Sequence, residues 1–226
     1  MRTTTTTTTP IALEEAEDLY EPEPIFLEGV SWATYLAFLR NLDATSQRKR
    51  VIYDRGRMVI VSPLLPKHEK WKSLIGGFVE AIADEREVLI STFGSTTWKS
   101  KALKRGLEPD ECFYIQHEAR MRHRLTIDLK RDPPPDLCIE INLRRAPIDK
   151  LQLYAALRVP ELWHCDDDGQ IEALVLRPRR KYVRSEKSAA FPFLRPAELK
   201  RFLERYFEVD QNSLMREVRV WSAKLR

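Results

Sequence analysis

Pro135-Asp136-Leu137-Cys138-Ile139-Glu140-Ile141-Asn142 is the stretch on which the fold turns. Leu137, Ile139 and Ile141, with Leu143 beyond them, are aliphatic at alternate positions, the period of a strand packed on a core. The other face takes Asp136, Cys138, Glu140 and Asn142. A carboxylate in the middle of such a strand is costly to bury unless it is paired or holds a cation. Two further pieces belong with it. Glu108-Pro109-Asp110 stands at the mouth of a second apolar run, Cys112 to Ile115, and proline is tolerated at a strand start. Lys150, Tyr154 and Leu157 then recur at helical spacing on one face of the next segment.

If the two strands are neighbours, Asp110 and Glu140 meet at one end of the sheet. Adjacent carboxylates repel, and a cation between them relieves the repulsion. Oxygen ligands of this kind suit Mg²⁺ or Mn²⁺ rather than zinc. Lys150, on the packed side of its helix, can bring its ammonium to the same cavity, where it would orient water or offset charge on a phosphate oxygen. A plainer reading stays open: a buried Lys150–Glu140 ion pair with no metal. Asp136 follows three prolines and serves equally as a strand start or as a supporting acid.

Outward from this centre, Ser31 is placed to cap a helix over 32–41. Val51-Ile52-Tyr53 and Met58 to Val61 flank Asp54-Arg55-Gly56-Arg57 as a β-hairpin. Pro66 opens a helix to about Asp84, with Trp71, Leu74, Ile75, Phe78, Val79 and Ile82 as its apolar stripe. His68 lies on that stripe, where a packed or capping histidine and a site histidine are both compatible with the spacing. Strands are expected over 88–93, 112–115, 136–143, 161–165 and 171–176, with 124–129 as the hairpin partner of 112–115. Helices are expected near 148–157, 196–207 and 211–221.

The chain has 226 residues, 43% of them hydrophobic, enough for one real core. No apolar run approaches the ~18 residues of a membrane span. Cys112, Cys138 and Cys165 lie far apart, which fits a reduced, cytoplasmic protein better than a disulfide set or zinc site. Residues 1–24, with seven consecutive threonines and three prolines, read as a disordered tail, and 25–226 as a single domain. The first 28 residues hold one arginine against seven acids, so a chain of net +4 carries its positive charge in the body. That balance permits an anionic partner such as nucleic acid without demanding one. Arg48-Lys49-Arg50, Lys99 with Lys101, Lys104 and Arg105, Arg144-Arg145 and Arg179-Arg180-Lys181 are clusters that can track a phosphate backbone, or simply solvated surface.

The order of these pieces resembles the PD-(D/E)XK nuclease superfamily, and within it the Uma-two family of restriction endonucleases. The resemblance covers most of 50–207. It rests on Ile60-Val61-Ser62-Pro63 and His68-Glu69, on Gly106 through Ile115, on Pro134 through Ile141, on Lys150 with Tyr154, and on Val159-Pro160-Glu161-Leu162-Trp163. It implies a restriction-endonuclease-like α/β core: a mixed central sheet flanked by helices, here with an N-terminal β-hairpin extension. It also implies an Mg²⁺- or Mn²⁺-dependent endonuclease acting on DNA, with Asp110 and Glu140 as metal ligands and Lys150 as charge stabiliser. Asp136, His68, Asn142 and Tyr154 would stand around them. A homodimer would bring two such sites to the two strands. One position departs from the superfamily pattern: Asn142 stands where a lysine is usual, and Lys150 would take its place. The alternative is the same fold with a decayed site that binds DNA or a protein partner without cutting.

Overall fold

The computed structural model describes residues 23–47, 49–61, 66–142 and 147–226. The threonine-rich stretch 1–22, Arg48, Ser62-Pro63 and Arg144-Arg145 lie outside the described residues. From the N-terminus the chain forms β1 (Ile25–Leu27), α1 (Trp32–Ala44), β2 (Arg50–Asp54), β3 (Arg57–Val61) and α2 (Pro66–Glu85). Four short strands follow: β4 (Ser91–Thr92), β5 (Trp98–Ser100), β6 (Arg105–Leu107) and β7 (Glu111–Tyr114). Then come α3 (Glu118–Met121), β8 (Leu137–Ile141), α4 (Lys150–Leu157), β9 (Glu161–Cys165), β10 (Ile171–Arg177), β11 (Lys181–Ser185), α5 (Lys200–Arg205) and α6 (Gln211–Ser222).

Two sheets result. The larger is ordered β11-β10-β9-β8-β7-β4 and is mixed: β8 and β9 run parallel with α4 between them, and the other pairs are antiparallel. The face of β8 that carries Leu137, Ile139 and Ile141 packs against Leu74, Ile75, Phe78 and Ile82 of α2, with Phe202, Leu214 and Val218 behind them. On the other face, Cys138 packs with Leu153, Tyr154 and Leu157 of α4. Helices therefore cover both faces, and β8 is buried along its whole length. Asp149 caps α4 by accepting the Gln152 N–H at 3.2 Å. Arg158 ends that helix at φ 65, a left-handed conformation that glycine would adopt without steric cost. No helix among the described residues is long and apolar enough to cross a membrane.

The smaller sheet, β1-β3-β2-β6-β5, is antiparallel. The expected hairpin is its centre. Arg55 and Gly56 turn it with φ of 49 and 96, the two positive values a tight I′-type turn needs. The extension is therefore larger than a hairpin: β1, β5 and β6 widen it to five strands. Tyr35 of α1 stacks on Tyr53 with ring centroids 4.6 Å apart. The chain passes close beneath that pair at Gly106, where a Cβ would lie 2.2 Å from the Tyr35 hydroxyl oxygen. A ring held on both sides cannot yield, so Gly106→Ala is expected to cost about 1–3 kcal/mol in urea denaturation.

Other expectations are corrected. Residues 124–129 form no strand. Both edges of β7 are taken, by β4 and by β8, and Leu125 is 98% exposed. The 88–93 strand shrinks to Ser91–Thr92, and β8 ends at Ile141.

Candidate active site

Asp110 precedes β7 and is fully buried. The register pairs Glu111 with Ile139, so Asp110 falls one step further along, across from Glu140. Its hydrogen bonds bracket that residue. The Asp110 N–H donates to the Ile139 carbonyl at 3.2 Å, and its Oδ2 accepts the Ile141 N–H at 2.6 Å. The aspartate side chain thus takes the place of a ladder carbonyl, which fixes the carboxylate in the plane of the sheet edge. Its Oδ1 faces the Arg50 guanidinium as an ion pair, yet is sealed from solvent with no hydrogen bond in sound alignment.

Glu140 is also fully buried. Lys150, the first residue of α4, donates from Nζ to Glu140 Oε2 at 2.7 Å, and the Tyr154 hydroxyl donates to Oε1. The i, i+4 spacing on α4 is what aims both side chains at one carboxylate. Burial first, and then the Glu140 charge, push the Tyr154 hydroxyl well above its usual range, so it stays a donor at neutral pH.

His68 enters from the first turn of α2, with Nε2 3.3 Å from Asp110 Oδ2. Burial, followed by the nearby Arg50 charge, lowers its imidazole to about 4, so it is uncharged at neutral pH. Its Nδ1 is sealed and unbonded, 3.5 Å from Glu69 Oε1. Arg50 also lies 4.0 Å from Glu108 and 3.8 Å from Glu69. Burial raises the Glu108 carboxyl, and Arg50 opposes that.

Asp110, Glu140, Lys150, Tyr154 and His68 are thus gathered at one end of β8. Asp136 is not with them. It sits at the other end of the strand, four residues or roughly 13 Å away. There it accepts the N–H groups of Ile115 at 2.8 Å and His117 at 2.9 Å, and the His117 ring at 2.5 Å. These bonds hold the chain between β7 and α3. Asn142 follows the end of β8 at φ 57, so the face alternation that would align it with Glu140 stops one residue short. Its N–H bonds the Cys165 carbonyl at 2.9 Å.

Arg50 is the site residue that pattern reading passed over as part of a surface cluster. The available signal was its position directly before the apolar run Val51-Ile52-Tyr53, which places it on a strand rather than a loop. Arg105, from another such cluster, is held at 2.8 Å by Asp54.

The donors suit a hard divalent cation in part. Two buried carboxylates belong to residues opposite each other on neighbouring strands, and Asp110 Oδ1 keeps lone pairs that no hydrogen bond uses. Among the described residues no group of three or more His, Cys, Asp or Glu side chains is arranged to hold an ion. Mg²⁺ accepts that shortfall, since it commonly takes one or two carboxylates and completes its shell with water and substrate phosphate.

A structure with some likeness to this one is the crystal structure of a putative nuclease belonging to DUF820 from Anabaena variabilis. It is 15% identical, with a TM-score of 0.45 over 74% of this chain and 90% of that one. No curated protein matches the sequence. The Uma2 family model, described as putative restriction endonuclease, matches residues 32–209. That match spans well over half of the 226 residues, from α1 to beyond α5, and the chain belongs to the Uma2 family.

Proposed function

We propose that this chain is a metal-dependent endonuclease that hydrolyses DNA phosphodiester bonds. The family's description supports a nuclease. The observation that carries the finer reading is Asp110 bonded to both neighbours of Glu140, with Lys150 on the Glu140 carboxylate. Asp110 and Glu140 would hold Mg²⁺ or Mn²⁺, which when bound supplies a more acidic water and offsets charge on the phosphate.

The remaining residues have definable work. The Ile141 N–H and His68 orient Asp110. Without a metal, Arg50 and Lys150 supply the positive charge that faces the two buried carboxylates. A phosphate entering the site competes for that same ammonium. Lys150 can then turn from Glu140 to a phosphate oxygen, where its charge acts on the negative charge that builds as the P–O bond breaks. Tyr154 keeps Glu140 in place when Lys150 leaves it.

A second reading, a DNA-binding module that does not cut, is favoured by the Lys150–Glu140 pair being closed and by Asn142 leaving the strand. Supercoiled plasmid incubated with the purified chain separates the two. Nicking or linearisation in Mg²⁺ or Mn²⁺, abolished by EDTA and by Lys150→Met, is expected. Plasmid and oligonucleotide that stay intact in both metals would eliminate the catalytic reading.

A further inference from the structure

Arg50 opens β2, opposite Val61 at the end of β3. Side chains two apart on a strand share a face, so Arg50 points the way Ile52 does. Ile52 is buried in the cluster that holds Cys112, Cys138 and Tyr154. Cys112 and Cys138 lie two residues from Asp110 and Glu140 on their strands. Packing of Ile52 therefore turns Arg50 toward the acids. The strand fixes the backbone, and the long side chain keeps its own freedom.

The guanidinium stands among the carboxylates of Asp110, Glu69 and Glu108, and these are not equivalent. Asp110 Oδ1, with which it is paired, is sealed from solvent. Glu69 Oε1 lies 3.8 Å away on α2, and its side chain is 51% exposed. Glu108 Oε1 lies 4.0 Å away on a side chain that is 21% exposed. Glu69 is loosely engaged. It stands 3.5 Å from His68 Nδ1 and 3.7 Å from Lys72 Nζ without a hydrogen bond to either. Lys72 donates instead to Ser95 Oγ at 2.8 Å. Two acids on the solvent side can thus receive the guanidinium if it leaves Asp110.

A carboxylate that ligates a divalent cation is a poor partner for a guanidinium, because the two positive charges repel at close range. Arginine cannot relieve that repulsion by losing its proton. Resting on the reading of Asp110 as a metal ligand, we infer that Arg50 governs occupancy of the site. In the metal-free chain it is the counter-ion of Asp110, and it passes to Glu69 and Glu108 when Asp110 ligates a cation. The apparent affinity for metal is then scaled by the fraction of chains in which Arg50 has already left. Arg50 is on this account a positioning residue that sets how much metal the site needs.

The test is metal binding without substrate: Mn²⁺ titration of the full chain, stripped with EDTA and followed by electron paramagnetic resonance, with thermal melts as the folding control. Arg50→Met should bind Mn²⁺ about tenfold more tightly than wild type, within the usual range of coupling between two ligands of one group. Glu69→Gln/Glu108→Gln should weaken Mn²⁺ binding about tenfold in the wild-type background, and by much less beside Arg50→Met. An equal loss in both backgrounds would mean that the two acids act on the cation themselves, which overturns the transfer. If Arg50→Met fails to fold without metal, Arg50→Gln decides, since it can still donate to Asp110 but carries no charge. Wild-type binding of Mn²⁺ that is unchanged or weaker in the folded Arg50 variants would overturn the role of Arg50 and leave the metal reading standing. Absence of Mn²⁺ binding in wild type and variants alike would remove both.

Discussion

Glu140→Ala should cost the metal-free chain about 3–5 kcal/mol, whereas Glu140→Met/Lys150→Met/Tyr154→Phe should match or exceed wild-type stability and cut nothing. The contrast follows from what surrounds the carboxylate. Glu140 is fully buried, and the Lys150 side chain is only 14% exposed. Removing the glutamate alone strands an ammonium and a phenol hydroxyl in a cavity lined by Leu153, Cys138 and Cys112. Removing all three polar groups together replaces a desolvated ion pair with apolar volume, a change that is often neutral or stabilising. Urea denaturation in EDTA, beside a plasmid assay in Mg²⁺, reads both halves. A triple variant as unstable as the single one would mean that the polar cluster is held for the fold. Recovered stability without cleavage would mean that it is held at the fold's expense.

Asp110→Asn should stay folded and lose at least about 100-fold in metal-dependent cleavage, because a charge acting on the reacting phosphate is worth several kcal/mol. The asparagine oxygen can still accept the Ile141 N–H that Asp110 now receives at 2.6 Å. Asp110→Ala should lose cleavage equally and about 1–3 kcal/mol of stability besides, since a buried ladder N–H is left without an acceptor. Binding of Mn²⁺, followed by its electron paramagnetic resonance signal, should fall in both variants alike. An asparagine variant that binds Mn²⁺ as tightly as wild type would remove Asp110 from the ligand set.

The centre of the fold was legible because its residues repeat with clear periods. Alternation through Leu137, Ile139 and Ile141 marked β8, and the α2 stripe from Trp71 to Ile82 marked the helix that covers it. The i, i+4 relation of Lys150 and Tyr154 was enough to put both on one side of α4, and the side proved to be that of Glu140. The periphery was less legible for physical reasons. β5 and β6 are three residues each, too short for a period, and Gly106 interrupts the second. β11 is a half-exposed edge with Lys181, Arg184 and Ser185 among its five residues, so composition masks it as loop. Arg50 looked like surface because charge says nothing about which side of a strand an arginine occupies. The face shared by Glu140 and Asn142 failed at one dihedral, the φ of 57 that ends β8, and no alternation pattern reports where a strand stops.

Covering β8 with helices on both faces and with strands on both edges has a consequence for motion. Amides in such a strand exchange with solvent only through large-scale opening. The backbone that carries Glu140, and the Ile141 N–H that tethers Asp110, therefore share the slow clock of global unfolding. Whatever adapts when a ligand arrives must be faster and lighter: the swing of the Lys150 and Arg50 side chains over a frame that opens only when the fold does.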